Sequence, residues 1–153
     1  MTTETQTTSG PVLAPPSTPA GMYLDLMKRS LTNWVYADTE AEPFDPEKRT
    51  AGVDWPPTAH TMIGLRRLDN LQTAVEDVLA RGVPGDLIET GVWRGGATIL
   101  MRAILRAHGC TDRAVWVADS FEGLPPPDAA AFPQDDGDLL HTVDFRLFDP
   151  FRG

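Results

Sequence analysis

Positive charge is what this chain most lacks. Thirteen Lys and Arg stand against 22 Asp and Glu, a formal net charge of −9. A surface that coats phosphates needs the opposite balance, so nucleic acid and anionic membrane are both disfavoured as partners. Cysteine is nearly absent as well, with Cys110 alone. It can form no intramolecular disulfide, and no cysteine cluster marks a structural metal, which points to a reducing, cytoplasmic setting. No apolar run approaches the ~20 residues that a membrane helix needs. The opening Met1-Thr2-Thr3-Glu4 lacks the basic start and apolar stretch of a signal peptide.

What remains is ordinary for a globular protein. The 153 residues, 41% hydrophobic and 23% charged, support one domain with a real core rather than two. Residues 1–20 are mostly Thr, Ser, Pro and Ala. They cannot bury enough surface to offset the entropy of ordering, so a disordered tail is expected, with a proline-recognition motif as the functional alternative. Residues 21–85 read as a helical segment interrupted by a long loop, which is a lid, a binding loop or simply mobile. Within it, Leu24, Met27, Leu31 and Trp34 recur at helical spacing and predict a helix from Met22 to Tyr36. From Ala37 to Ala59 the prolines Pro43, Pro46, Pro56 and Pro57 predict a long loop without helix, with Trp55 anchoring its far end. Helix returns from Met62 to Arg81, with Leu65, Leu68, Leu71, Val75, Val78 and Leu79 inside, Gly82 as C-cap and Pro84 blocking continuation.

The informative stretch is 86–97, Asp-Leu-Ile-Glu-Thr-Gly-Val-Trp-Arg-Gly-Gly-Ala. A short apolar strand ends at the acid Glu89, followed by a glycine turn and a helix through Ala107. Ile99, Leu100, Ala103, Ile104 and Ala107 form the expected inner face of that helix. Ala114 to Ala118 is a second apolar strand, ending at Asp119-Ser120-Phe121. Strand, helix, strand makes one parallel βαβ unit over residues 86–153, continuing into an acidic, proline-rich loop. Asp135, Asp136 and Asp138 in that loop do not match the spacing of a calcium site and read as solvated.

In a βαβ unit the ends of neighbouring parallel strands open on one edge of the sheet. A ligand over the glycine turn can reach both Glu89 and Asp119. A carboxylate accepts two hydrogen bonds from a ribose diol, which assigns Asp119 to a ribose. A dinucleotide would favour Gly-x-Gly-x-x-Gly and a pyrophosphate at the helix start. Here Trp93 and Arg94 are bulky at the turn, and Glu89 would repel a pyrophosphate. Glu89 suits a cationic ligand end, such as the ammonium and sulfonium groups of S-adenosylmethionine. The bland alternative is that the two acids only cap helices. A nicotinamide-dependent half-domain is the rival from another enzyme class.

At these residues the chain resembles a known family. Glu-Thr-Gly-Val-Trp-Arg-Gly-Gly (89–96) and Val-Trp-Val-Ala-Asp-Ser-Phe-Glu-Gly (115–123) are similar to the cofactor motifs of the macrocin O-methyltransferases, which methylate sugar hydroxyls of macrolides and aminocoumarins. Tyr23 to Lys28, Thr58 to Gly64 and Gly82 to Asp86 resemble family stretches in the same order. The resemblance implies a doubly wound, Rossmann-like α/β methyltransferase fold that uses S-adenosylmethionine and Mg2+, acts on a glycosylated natural product and forms a homo-oligomer. It implies Thr61 and Met62 at the amino acid end of the cofactor. It places Glu89, Thr90, Gly91, Val92 and Trp93 in the loop beneath it, and Asp119, Ser120 and Phe121 at the ribose. It makes 40–55 a lid and 139–141 part of the substrate side.

The resemblance fades after His141. Residues 142–153 do not follow the family, whose metal-binding aspartates and base lie on later strands. The expectation is a shortened chain, from a shifted reading frame, a cut or a gene remnant, without metal ligands. The catalytic residue stays open: His141 could act as base, but a lone loop histidine is more often incidental. The alternative to an enzyme is a non-catalytic cofactor-binding remnant, or a partner subunit completed by another chain.

Overall fold

A computed structural model describes residues 17–37 and 43–136. Residues 1–16 of the expected 1–20 tail, 40–42 of the lid, Asp138 and 139–141, with His141, lie outside the described residues; the end of that tail, Pro19 and Ala20, is helical rather than disordered.

Helix α1 spans Pro19–Leu31. The Thr18 side chain caps it, accepting from the Gly21 N–H at 3.1 Å, and Pro19 occupies the first turn, where its missing N–H costs nothing. At the other end the Thr32 hydroxyl donates back to the Lys28 carbonyl at 2.9 Å, and Asn33 turns left-handed at φ 52°. The expected helix from Met22 to Tyr36 is therefore displaced toward the N-terminus. Trp34 lies beyond it, edge-on to Phe44 at 5.2 Å.

The expectation of no helix between 37 and 59 also fails. A short helix α2, Pro46–Ala51, starts on a proline rather than being broken by one. Asp45 caps it, accepting from the N–H groups of Glu47 and Lys48 at 2.9 and 3.1 Å, and Gly52 ends it at φ 67°. Arg49 is buried on this helix, paired with Asp54 and donating to the Thr32 carbonyl, both at 2.5 Å. The proline-rich segment is thus bonded to the end of α1.

Helix α3, Gly64–Ala80, begins where its backbone touches Gly52. A Cβ on Gly64 would lie 2.4 Å from the Gly52 nitrogen, so neither position has room for a side chain. Strand β1, Leu87–Thr90, and strand β2, Val115–Ala118, pair in parallel, with Leu87 opposite Val115 and Glu89 opposite Val117. Asp86 sets this register by accepting from the Ala114 N–H at 2.9 Å and the Trp116 indole N–H at 2.8 Å. The Trp116 bond, then the Ala114 bond, hold its carboxyl below the usual carboxylate range.

Between the strands runs α4, Gly96–Ala107. It packs on both strands, on α1 and on α3, and Leu87 and Val115 of the strands join the core that these helices build. This position explains a further departure from expectation. Ile99 was expected inside but is exposed, whereas Met101 and Leu105 are buried beside Leu100, Ala103 and Ile104. A helix covered from two sides needs an apolar belt wider than the single stripe that periodicity identifies. Leu24, Leu31, Leu68 and Val75 complete the core from α1 and α3. On the sheet, Leu87 and Val115 face that core, and alternation turns Ile88 and Trp116 to the other face, where they are 61% and 59% exposed.

Gly64→Ala is expected to destabilise the protein by roughly 2–4 kcal/mol, from the left-handed φ and the backbone clash together. Urea denaturation of the two proteins measures it, and a change under ~0.5 kcal/mol would contradict the Gly52–Gly64 contact.

Candidate functional site: the glycine turn between two carboxylates

The turn after β1 is held from two sides. Gly91 extends the ladder, donating from its N–H to the Ala118 carbonyl at 3.0 Å, which sets Asp119 level with the turn. One Asp119 oxygen, Oδ2, accepts from the Val92 N–H at 2.6 Å; the other accepts from the Phe121 N–H at 3.0 Å. These two backbone bonds, the Val92 bond first, depress the Asp119 pKa. Asp119 thus does not cap a helix; it spans from β2 to the turn of β1. The Ser120 hydroxyl lies a further 3.5 Å from Oδ1. A carboxylate has roughly four acceptor positions, so capacity remains for a ligand hydroxyl.

Glu89 behaves differently. Its Oε2 accepts from the Thr98 N–H at 2.8 Å and also from the Thr98 hydroxyl. Gly95 is the N-cap of α4 and has no side chain to offer, so the strand carboxylate satisfies an amide at the helix start from outside the helix. The capping alternative is therefore present for Glu89 through one oxygen. Oε1 takes no hydrogen bond among the described residues.

The upstream segment is bonded to the same turn. Gly96 donates to the His60 carbonyl at 3.0 Å, and a Cβ there would stand 2.5 Å from that oxygen and 2.6 Å from the Thr61 Cβ. Only glycine allows this approach. Arg94 donates to the carbonyls of Pro57 and Ala59 at 2.7 and 3.0 Å. Its guanidinium lies 4.2 Å from the Trp93 ring centroid, and Trp93 meets Trp55 edge-on at 5.8 Å. Trp55 is half exposed, but Pro56 beside it is fully buried. At the other side, the N–H groups of His60 and Thr61 donate to the Leu31 carbonyl, tying the segment to the end of α1.

Of the ten residues singled out from sequence, Glu89, Thr90, Gly91, Val92 and Trp93 run from the end of β1 into the turn, and Asp119 joins them through Val92. Thr61 is buried against the start of α4, and Met62 follows it half-buried. Ser120 and Phe121 sit in the turn after β2; Phe121 adopts φ 56° and is exposed. Trp93 is likewise left-handed, at φ 46°. Sequence reasoning missed Thr98 and the bonds of Arg94. The missing cap at Gly95 was a signal for the first: a helix beginning Gly-Gly-Ala must find acceptors elsewhere. Nothing local in the sequence signalled the Arg94 bonds, which join positions 35 and 37 apart.

Among the described residues no group of three or more His, Cys, Asp or Glu side chains stands close enough to hold a metal ion. The described residues do not fit the Mg2+ implied by resemblance. Nor is any described helix long and apolar enough to cross a membrane.

Comparison with known proteins agrees with this geometry. The sequence profile of the TylF macrocin O-methyltransferases matches residues 37–148. The chain is 59% identical over 137 residues to the 8-demethyl-8-(2,3-dimethoxy-alpha-L-rhamnosyl)-tetracenomycin-C 4'-O-methyltransferase of Streptomyces olivaceus, covering 86% of this chain and 52% of that protein. It is 55% identical to the mycinamicin III 3''-O-methyltransferase of Micromonospora griseorubida, covering 72% and 46%. It is 56% identical to the demethyldecarbamoylnovobiocin O-methyltransferase of Streptomyces niveus, covering 69% and 44%. The chain thus spans about half the length of the relatives it matches. The solved structure of the O-methyltransferase NovP superposes with a TM-score of 0.73 at 47% identity, over 88% of this chain and 61% of that one. The parallel strands, the helix between them and the glycine turn are accordingly part of a methyltransferase fold, and the chain belongs to the macrocin O-methyltransferase family.

Proposed function

We propose that this chain carries the cofactor-binding part of an S-adenosylmethionine-dependent O-methyltransferase acting on a sugar hydroxyl of a glycosylated natural product. The observation that carries the reading is the turn 91–95 held between two strand-end carboxylates, Asp119 on Val92 and Glu89 on Thr98. S-adenosylmethionine supplies an electrophilic methyl group on a sulfonium. Asp119 would hold the ribose hydroxyls. Glu89, through Oε1, would face the positive ammonium or sulfonium end. Gly91, Val92 and Trp93 would form the floor, Thr61 and Met62 the border at the amino acid end, and Ser120 and Phe121 the wall next to the ribose. These residues bind and orient; catalysis of this kind depends on placing donor carbon and acceptor oxygen in line. The described residues assign no base and no step to a metal. A Mg2+ requirement belongs to the full reading, with ligands outside the described residues.

The same reading takes 21–85 as the helical and lid segment, with 40–55 as lid, and 86–153 as the first βαβ unit with its loop. It takes the protein as cytoplasmic and associated with further copies, which would cover the exposed Ile88 and Trp116 face. Names of relatives supply the acceptor class: tetracenomycin, mycinamicin and novobiocin precursors. The second reading is a cofactor-binding chain without turnover of its own, completed by another chain.

Calorimetry with S-adenosylhomocysteine, followed by a methyl-transfer assay on a demethylated glycosylated antibiotic with Mg2+, separates these readings. Binding with turnover supports the enzyme, binding without turnover the second reading, and protection by NAD alone sinks both. Asp119→Asn is expected to weaken S-adenosylhomocysteine about tenfold or more, by removing charge from both the turn and the ribose. An unchanged affinity would remove Asp119 from the site.

The clamp should also have a pH signature. The folded Asp119 carboxyl is depressed, so its contribution is complete above the unfolded value of about 3.9 and is lost as pH falls through the lower, folded value. The Val92 amide resonance should therefore hold steady from neutral pH to about 4 and titrate only below that. A midpoint above 4 would contradict the bond.

A further inference from the structure

The geometry points to Thr98 as a positioning residue for the cofactor's cationic end, acting through Glu89. This rests on the cofactor reading above and adds to it a residue that does not itself touch the ligand.

Thr98 is the third residue of α4, and it places two donors on one oxygen. Its backbone N–H lies 2.8 Å from Glu89 Oε2, and its hydroxyl donates to the same atom. A single donor leaves a carboxylate free to swing about that bond. Two donors from one rigid residue fix both the position of Oε2 and the tilt of the group. Both donors load Oε2, and Oε1 takes no hydrogen bond among the described residues. Other polar ties of the turn seen among the described residues run from Arg94 to the carbonyls of Pro57 and Ala59, from Gly96 to that of His60, and from Val92 to Asp119. Thr98 is thus the side chain that orients Glu89 among the described residues. A buried or half-buried carboxylate with one oxygen held and one open is arranged to meet a cation. In the proposed ligand the fixed cation at the amino acid end is the ammonium.

A purely structural role makes a different prediction. If the pair only caps α4, losing the hydroxyl would loosen the helix start and the whole turn, and every nucleoside ligand would suffer alike. Two probes distinguish the cases on the full chain. S-adenosylhomocysteine carries the amino acid end; 5'-methylthioadenosine has the same nucleoside and thioether without it.

Thr98→Val keeps the shape and the amide but loses the hydroxyl. By calorimetry it is expected to weaken S-adenosylhomocysteine about tenfold and methylthioadenosine less than about twofold. Thr98→Ser should return both affinities to near wild type. In a Glu89→Gln background Thr98→Val should cost nothing further, since Thr98 acts only through the carboxylate. Should the valine variant not fold, Thr98→Ala, a better helix former, reads the same selectivity. Equal loss for both ligands, or no loss for either, overturns the inference while the cofactor reading stands. Wild-type protein that is folded and binds neither ligand overturns both.

Discussion

One hydrogen bond organises this molecule: the Asp119 carboxylate on the Val92 N–H, 2.6 Å across the ends of two parallel strands. It exists because β1 and β2 run side by side in register, and that register is fixed at the opposite end by Asp86 on Ala114 and Trp116. The sheet is therefore bracketed by two acids, one at each end, each reaching from one strand to the other. The lower bracket makes the strands parallel neighbours. The upper one holds the glycine turn closed onto the second strand. Short strands of four residues have little ladder energy of their own, and these side-chain bonds supply the missing definition.

The N-terminal helices depend on the same turn. Gly96 at the start of α4 lets the 57–61 backbone approach until amide meets carbonyl, and Arg94 adds two more bonds to that segment. The segment in turn hangs from the end of α1 through Leu31, and α2 is bonded to the same corner through Arg49 and Thr32. Core packing of α1 and α3 on α4 and this web of backbone bonds meet at the turn. A cofactor seated there would meet strand, helix and upstream segment at once.

Much of this was legible in the sequence. The βαβ unit follows from the apolar runs 87–90 and 115–118 and the periodicity between them, and the two strand-end acids followed from position alone. The resemblance at 89–96 and 115–123 led to the family that the comparisons establish. The errors have local physical causes. Thr18-Pro19 is an N-terminal signal that outweighs the lack of apolar residues before Met22, and Asn33 accepts a left-handed turn that periodicity at Trp34 does not reveal. Pro46 counts as a breaker inside a helix, but behind the Asp45 cap it starts one. The widest gap concerns bonds between distant backbones. Arg94 looked merely bulky in sequence, yet it ties the turn to carbonyls more than thirty positions away. Met101 and Leu105 lie off the stripe yet are buried, because the second covering layer on α4 is a tertiary fact; Ile99 lies on the stripe and is exposed.

The central claim is that the turn between Glu89 and Asp119 receives the nucleoside of S-adenosylmethionine. Amide-resolved NMR of the wild-type chain during titration with S-adenosylhomocysteine addresses it most directly. The account predicts that the amides of Val92, Thr98 and Phe121 shift together and saturate at one affinity, while those on the outer face of α3 stay still. A folded chain whose 91–98 and 119–121 amides do not move, or move equally with NAD, would contradict it.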